Sequence, residues 1–189
     1  MEGEKVSDMD PETRLKIYLL ILNRYKDMIA EKETKTISEI RQMVSPYNSE
    51  PLKKLKEELL SDMSDYSYEN NFFTAVEKTI EYMKKIRTCE FIIPFWMTLK
   101  EINELKITDS ANKALLFAAL LRSYGSENVK VVVTKNRKQY VRFEWGGDDY
   151  LFVPESGSLL RNEDVTKILE SDPPSYAFSD LAYENYEEE

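Results

Sequence analysis

The chain has 189 residues, enough for one well-packed domain or a domain with a helical extension and too few for two full domains. Its 35 acidic residues against 26 basic ones give a formal charge of -9, which disfavours nucleic acid or an anionic membrane surface as partner. Histidine is absent and cysteine occurs once, at Cys89, so an internal disulfide, a Cys/His zinc site and any Cys-His or Ser-His-Asp mechanism are excluded.

The first half reads as a series of capped helices. Asp10 and Pro11 set an N-cap and an N1 proline before a helix through "ETRLKIYLLILNRYKDMIAEK", where Leu15, Leu19, Ile21, Leu22 and Met28 recur at helical spacing. "TISE", Thr36 to Glu39, is a capping box that opens a short helix ending before Pro46. Ser49 starts a third helix with Leu52, Leu55, Leu59 and Leu60 on one stripe, and Phe72, Val76, Ile80 and Met83 mark a fourth. The start, "MEGEKVSDMD", lacks a signal-peptide pattern, and the longest apolar run, Ala114 to Leu121, is far below the roughly 20 residues of a membrane span. A soluble, cytoplasmic protein is expected.

After Arg87 the texture changes. "FIIPFWM" is an apolar segment broken by Pro94, and Thr98 caps a short helix, "LKEINEL". "DSANKALLFAALLRSYG", 109 to 125, is a helix apolar on all sides, with a carboxylate and a hydroxyl at its start and Gly125 at its end. Such a helix needs protein all round it, a sheet on one side and helices on the other. Strands follow at 129–134, 138–145 and 150–154, joined by Lys135 to Arg137 and by Gly146 to Asp149, which reads as an antiparallel meander. Asp148 and Asp149 are turn residues here rather than a metal pair. "NEDVTKILE" is a short amphipathic helix, and "PPSYAFSD" adds a strand. The fold class is α+β. The expected parts are a helical extension over 1–65, a core over 66–180 and an acidic tail over 181–189 that frays.

The stretch from Trp96 to Gly125 resembles the transglutaminase-like domain of the papain-like cysteine peptidase superfamily. Asp109, Ala114, Leu115, Leu116, Leu120, Leu121, Arg122 and Gly125 fit its Gly-Asp-Cys-x-Asp-x-Ala-x-Leu-Leu pattern and the Leu-Leu-Arg-x-x-Gly end. "VKVVVT", "KQYVRF" and "YLFVPE" supply its three strands in order. The resemblance implies helices packed on a core with a central buried helix and a small antiparallel sheet. It also implies a cleft at the N-terminus of that helix, where an enzyme of the family keeps a thiolate beside the positive end of the helix dipole.

Carried over residue by residue, the resemblance removes the chemistry. The nucleophile position holds Ser110, the histidine position Lys138 and the final acid position Val153, while Asn112 stands where the motif has a second Asp. A slip of one residue puts Gln139 in place of Lys138. A Ser110–Lys138 dyad requires a lysine stripped of water, so Ser110 is read as an N-cap and Lys138 as a solvated strand residue. Cys89 reads as a buried small hydrophobe and Glu155 as solvent-facing. The expectation is a protein that is not an enzyme, with no cofactor and no metal. It would bind a protein or peptide in the former cleft through Trp96, Asn112 and Tyr140. Two alternatives stand beside it: hydrolysis or transfer of amide bonds by Ser110 with Lys138, and a structural subunit assembled through the N-terminal helices.

Overall fold

The computed structural model describes residues 10–47, 49–63 and 65–186. The chain divides into two units. The first comprises the N-terminal residues through Thr34 with Ile92–Phe95, and the second holds the rest.

In the first unit α1 spans Pro11–Glu33. Asp10 Oδ1 accepts from the amides of Glu12 at 3.1 Å and Thr13 at 3.0 Å, and Pro11 occupies the first helical position, where no amide is missed. None of its residues is buried.

The second unit begins with α2 (Ile37–Val44), opened by the Thr36/Glu39 capping box, and α3 (Glu50–Leu59), capped by Ser49. Then come α4 (Tyr68–Lys84), β1 (Arg87–Thr88), α5 (Leu99–Leu105), opened by a second capping box at Thr98/Glu101, and β2 (Ile107–Thr108). β1 and β2 form a small parallel pair just before α6 (Ser110–Ser123). The remaining elements are β3 (Lys130–Thr134), β4 (Gln139–Trp145), β5 (Asp148–Val153), β6 (Ser158–Arg161), α7 (Glu163–Ser171), β7 (Pro174–Phe178) and β8 (Tyr183–Asn185). The six strands from β3 onward make one antiparallel sheet in the order β6-β5-β4-β3-β7-β8. This is an α+β arrangement with a small antiparallel sheet.

Side-chain alternation sorts the sheet into two faces. Val131, Val133, Val141, Phe143 and Phe152 join the main core with α6 and the helices α2, α3 and α4. Val132, Tyr140, Leu151 and Ala177 join a second cluster with Val165 of α7. Every residue of α6 from Asn112 to Arg122 is buried, as a helix with no polar stripe requires. Phe117 stacks on Phe152 at 4.0 Å between ring centres. Burying Leu115, Leu116, Phe117, Leu120 and Leu121 contributes on the order of 10 kcal/mol, taken against a fully extended chain.

The far end of α6 closes in a Schellman turn. Ser126 donates to Leu121 O at 3.1 Å and Gly125 to Arg122 O at 3.0 Å, with Gly125 at φ +106°, a conformation that glycine alone takes without strain. Arg122 and Asp180 form an ion pair whose side chains are 5% and 8% exposed, and Arg41 of α2 holds the carbonyls of Ser179 and Asp180 at 2.8 and 3.0 Å. The β7–β8 turn is thereby fastened to α2 and α6.

Three expectations are corrected. The boundary at residue 65 does not reappear, because α2 and α3 pack on α6 and belong with the core. The stretch assigned to a fraying tail contains β8, held by β7 pairing and by a bond from Lys130 to Glu184 at 2.6 Å; residues 187–189 lie outside the described residues. Asp148 and Asp149 open β5 instead of sitting in the turn, where Asp148 pairs with Arg161 and Asp149 with Arg142.

Candidate functional site

The N-terminal turn of α6 is capped by Asp109, with Ser110 in the first helical position. Ser110 is therefore not the cap that the sequence suggested. Asp109 Oδ1 accepts from the Asn112 amide at 2.7 Å and from Asn112 Nδ2 at 2.8 Å. Asn112 Oδ1 in turn accepts from the Met97 amide at 3.0 Å, so the segment after Trp96 is tied to the first turn of the helix. An asparagine suits this position because it donates and accepts at once, which an ionised aspartate cannot do.

One turn after Asp109, Lys113 is 3% exposed and has no carboxylate partner among the described residues. Its ammonium donates to Ile86 O at 2.8 Å and to Thr88 Oγ1 at 2.9 Å, and Thr88 Oγ1 donates to Pro154 O at 2.9 Å. Burial pushes its pKa below the usual lysine value. Lys113 thus ties α6 to β1 and, through Thr88, to the end of β5. Sequence reasoning passed over this lysine, although a charged residue inside a helix without a solvent face was the available signal.

Beside the same turn, between α2, α3, α5 and α6, lies a cavity of about 370 Å³. Met43, Leu52, Met97 and Leu116 make apolar wall, Gln42, Ser45, Tyr47, Ser49 and Asn112 supply polar groups, and Ala119 lines it without filling it. This size falls in the range of small-ligand pockets, and the wall is polar and apolar in comparable measure. Ser110 does not line it.

The other sequence-derived positions are dispersed. Lys138 is exposed in the β3–β4 hairpin, one residue before β4, where its carbonyl accepts from the Thr134 amide at 3.0 Å. By alternation from Tyr140 its register belongs to the face covered by α7, whereas Gln139 shares the α6 face with Val141 and Phe143. Val153 packs on the second cluster, again on the α7 side. No hydrogen bond joins Ser110 to Lys138. Of the candidate binding residues, Trp96 packs against the main core and Asn112 lines the cavity, but Tyr140 lies in the second cluster across the sheet. Cys89 is half-buried rather than fully enclosed, and Glu155 is exposed.

No protein family, curated protein or solved structure matches the chain.

Among the described residues no three His, Cys, Asp or Glu side chains gather closely enough to hold a metal ion. Among them, too, no helix is long and apolar enough to cross a membrane. A cavity of this size can hold a side chain or a small ligand. Ser45, Tyr47 and Ser49 bring hydroxyls to the cavity, and no carboxylate, lysine or arginine is among the residues that line it.

Proposed function

We propose that this chain is a non-catalytic binding module on a scaffold resembling transglutaminase-like domains, and that it takes an apolar side chain of a protein partner into the cavity beside α6. The observation that carries the reading is Asn112. At the position where the resemblance puts a motif aspartate, it closes the helix cap, holds Met97 and lines a cavity whose wall is part polar and part apolar. Lys138 and Val153 both lie in register with the α7 face, away from Ser110 on α6, which supports a scaffold that binds without turning over. A cytoplasmic location, no cofactor and a protein rather than nucleic-acid partner complete the reading, in keeping with a net charge of -9.

Methyl-resolved NMR with short peptides carrying Leu, Ile, Met or Phe tests this. The expected result is a set of shifts at Met43, Met97 and Leu116 that Ala119→Met abolishes by filling the cavity. Shifts confined to other surfaces, or peptide cleavage that disappears in Ser110→Ala, would overturn it.

A further inference from the structure

α1 carries nine large apolar side chains between Leu15 and Met28, each between 37% and 60% exposed. A helix that leaves six consecutive apolar residues, Ile17 to Leu22, in water is unfavourable unless something covers it. Seven of the nine, all but Ile17 and Leu20, can share one helix–helix contact, and at about 200 Å² for a large side chain, half exposed, they present roughly 700 Å². A stable interface buries roughly 600–1,000 Å² per partner, so one such helix offers enough surface for one contact.

The arrangement along the helix identifies the cover. Leu15, Tyr18, Leu22 and Tyr25 follow the alternating three-and-four spacing of a coiled-coil seam. Antiparallel pairing of two α1 helices sets Leu15 against Tyr25 and Tyr18 against Leu22, twice over. The flanking positions then bring Leu19 to Leu19 and Ile21 to Ile21 at the dyad, Arg14 beside Met28, and Glu12 opposite Lys26. Glu12 pairs with Lys16 within its own helix at 2.7 Å, an exposed contact that leaves it free to be shared. No like charges meet in this register. Parallel pairing instead sets Arg14 against Leu19, Ile21 against Lys26 and Met28 against Glu33, without one opposite-charge pair. Antiparallel packing also places each helix N-terminus beside the other's C-terminus, which the helix dipoles favour.

We propose that α1 docks on α1 of a second copy of this chain, antiparallel, through the Leu15-Tyr18-Leu22-Tyr25 seam with reciprocal Glu12–Lys26 pairs, giving a two-fold symmetric dimer. This is independent of the cavity beside α6.

Sedimentation equilibrium of the full chain across the micromolar range tests it, with far-UV circular dichroism and thermal melting run on every variant. The expected result is a reversible dimer that Leu22→Glu weakens about 100-fold while the melting transition of the rest of the chain is retained. Glu12→Lys weakens it about tenfold, and Glu12→Lys with Lys26→Glu restores it. Restoration by the double change is specific to the antiparallel register and survives any general loss of helix stability in the single variants. A monomer at every concentration overturns the proposal, as does self-association insensitive to Leu22→Glu, or a double reversal no better than the single. Sedimentation of the monomer with phosphatidylcholine/phosphatidylglycerol vesicles would assign the same face to a lipid surface instead.

Discussion

Replacing Asp180 with alanine tests whether one buried ion pair fixes the end of the sheet. Arg122 on α6 donates through Nη2 to Asp180 Oδ2 at 3.0 Å and through Nη1 to Ser126 O at 2.6 Å, with a second bond from Nε to Oδ1. Both side chains are more than nine-tenths buried. Without the carboxylate, the guanidinium keeps a single carbonyl partner in a site that water does not reach. Breaking such a pair costs about 3–5 kcal/mol, most of it the penalty of an uncompensated charge. A domain of this length loses roughly 2–4 °C per kcal/mol, so the melting temperature should fall by about 10 °C. Arg122→Met with Asp180→Ala removes the charge as well as the carboxylate and should recover much of the loss. Calorimetry of the two single variants and the double variant measures the coupling, and amide exchange across 179–185 shows whether β8 loosens. Loss of less than about 1 kcal/mol in Asp180→Ala, with β8 still protected, would show that the turn is held by Arg41 and strand pairing and that the pair adds nothing.

Thr108 Oγ1 is fully buried without a hydrogen-bond partner, so Thr108→Val should raise stability by about 1 kcal/mol in urea unfolding. Lys113 titrates below the usual lysine value when folded, so between its folded pKa and 10.5 the unfolded chain binds more protons and this group's contribution rises with pH. Tyr124 and Tyr82, each pushed up to about 12 by burial, act in the opposite sense above pH 10. The difference between wild type and Lys113→Met in alkaline urea titrations therefore isolates the lysine: the advantage of Lys113→Met should shrink as pH rises toward 10.5. Ser110→Cys with Lys138→His and Val153→Asp should yield no amidase or transamidase activity, because positions 138 and 153 lie in register with the α7 face. Val153→Asp should be the most destabilising of the three, since that side chain packs on the second cluster. Turnover by the triple variant would show that the hairpin brings position 138 to α6.

Local chemistry was legible in the sequence where a side chain acts on its own backbone. The capping box at Thr36, the cap at Thr98 and the Asp10-Pro11 start lie where the spacing put them, because each is decided within four residues. Burial of α6 followed from its lack of a polar stripe. Long-range pairing was not legible: β7 returns to pair with β3, and β8 extends the sheet, through contacts that no local pattern records. The β4–β5 turn shortened to Gly146-Gly147 because both adopt positive φ, at +61° and +87°, which released Asp148 and Asp149 into the strand. At the candidate site, a half-turn of strand register separates Lys138 from the α6 face, and sequence alone does not fix that parity. The cavity and the partners of Lys113 were missed for a related reason, since elements distant in sequence supply them.

Calorimetric titration of one apolar peptide against wild type, Ala119→Met and Ser110→Ala tests the binding-module reading most directly. We expect binding to wild type and to Ser110→Ala with equal affinity, loss of at least tenfold in Ala119→Met, and no cleaved peptide in any cell. Undiminished binding to Ala119→Met, or product formation that depends on Ser110, would contradict it.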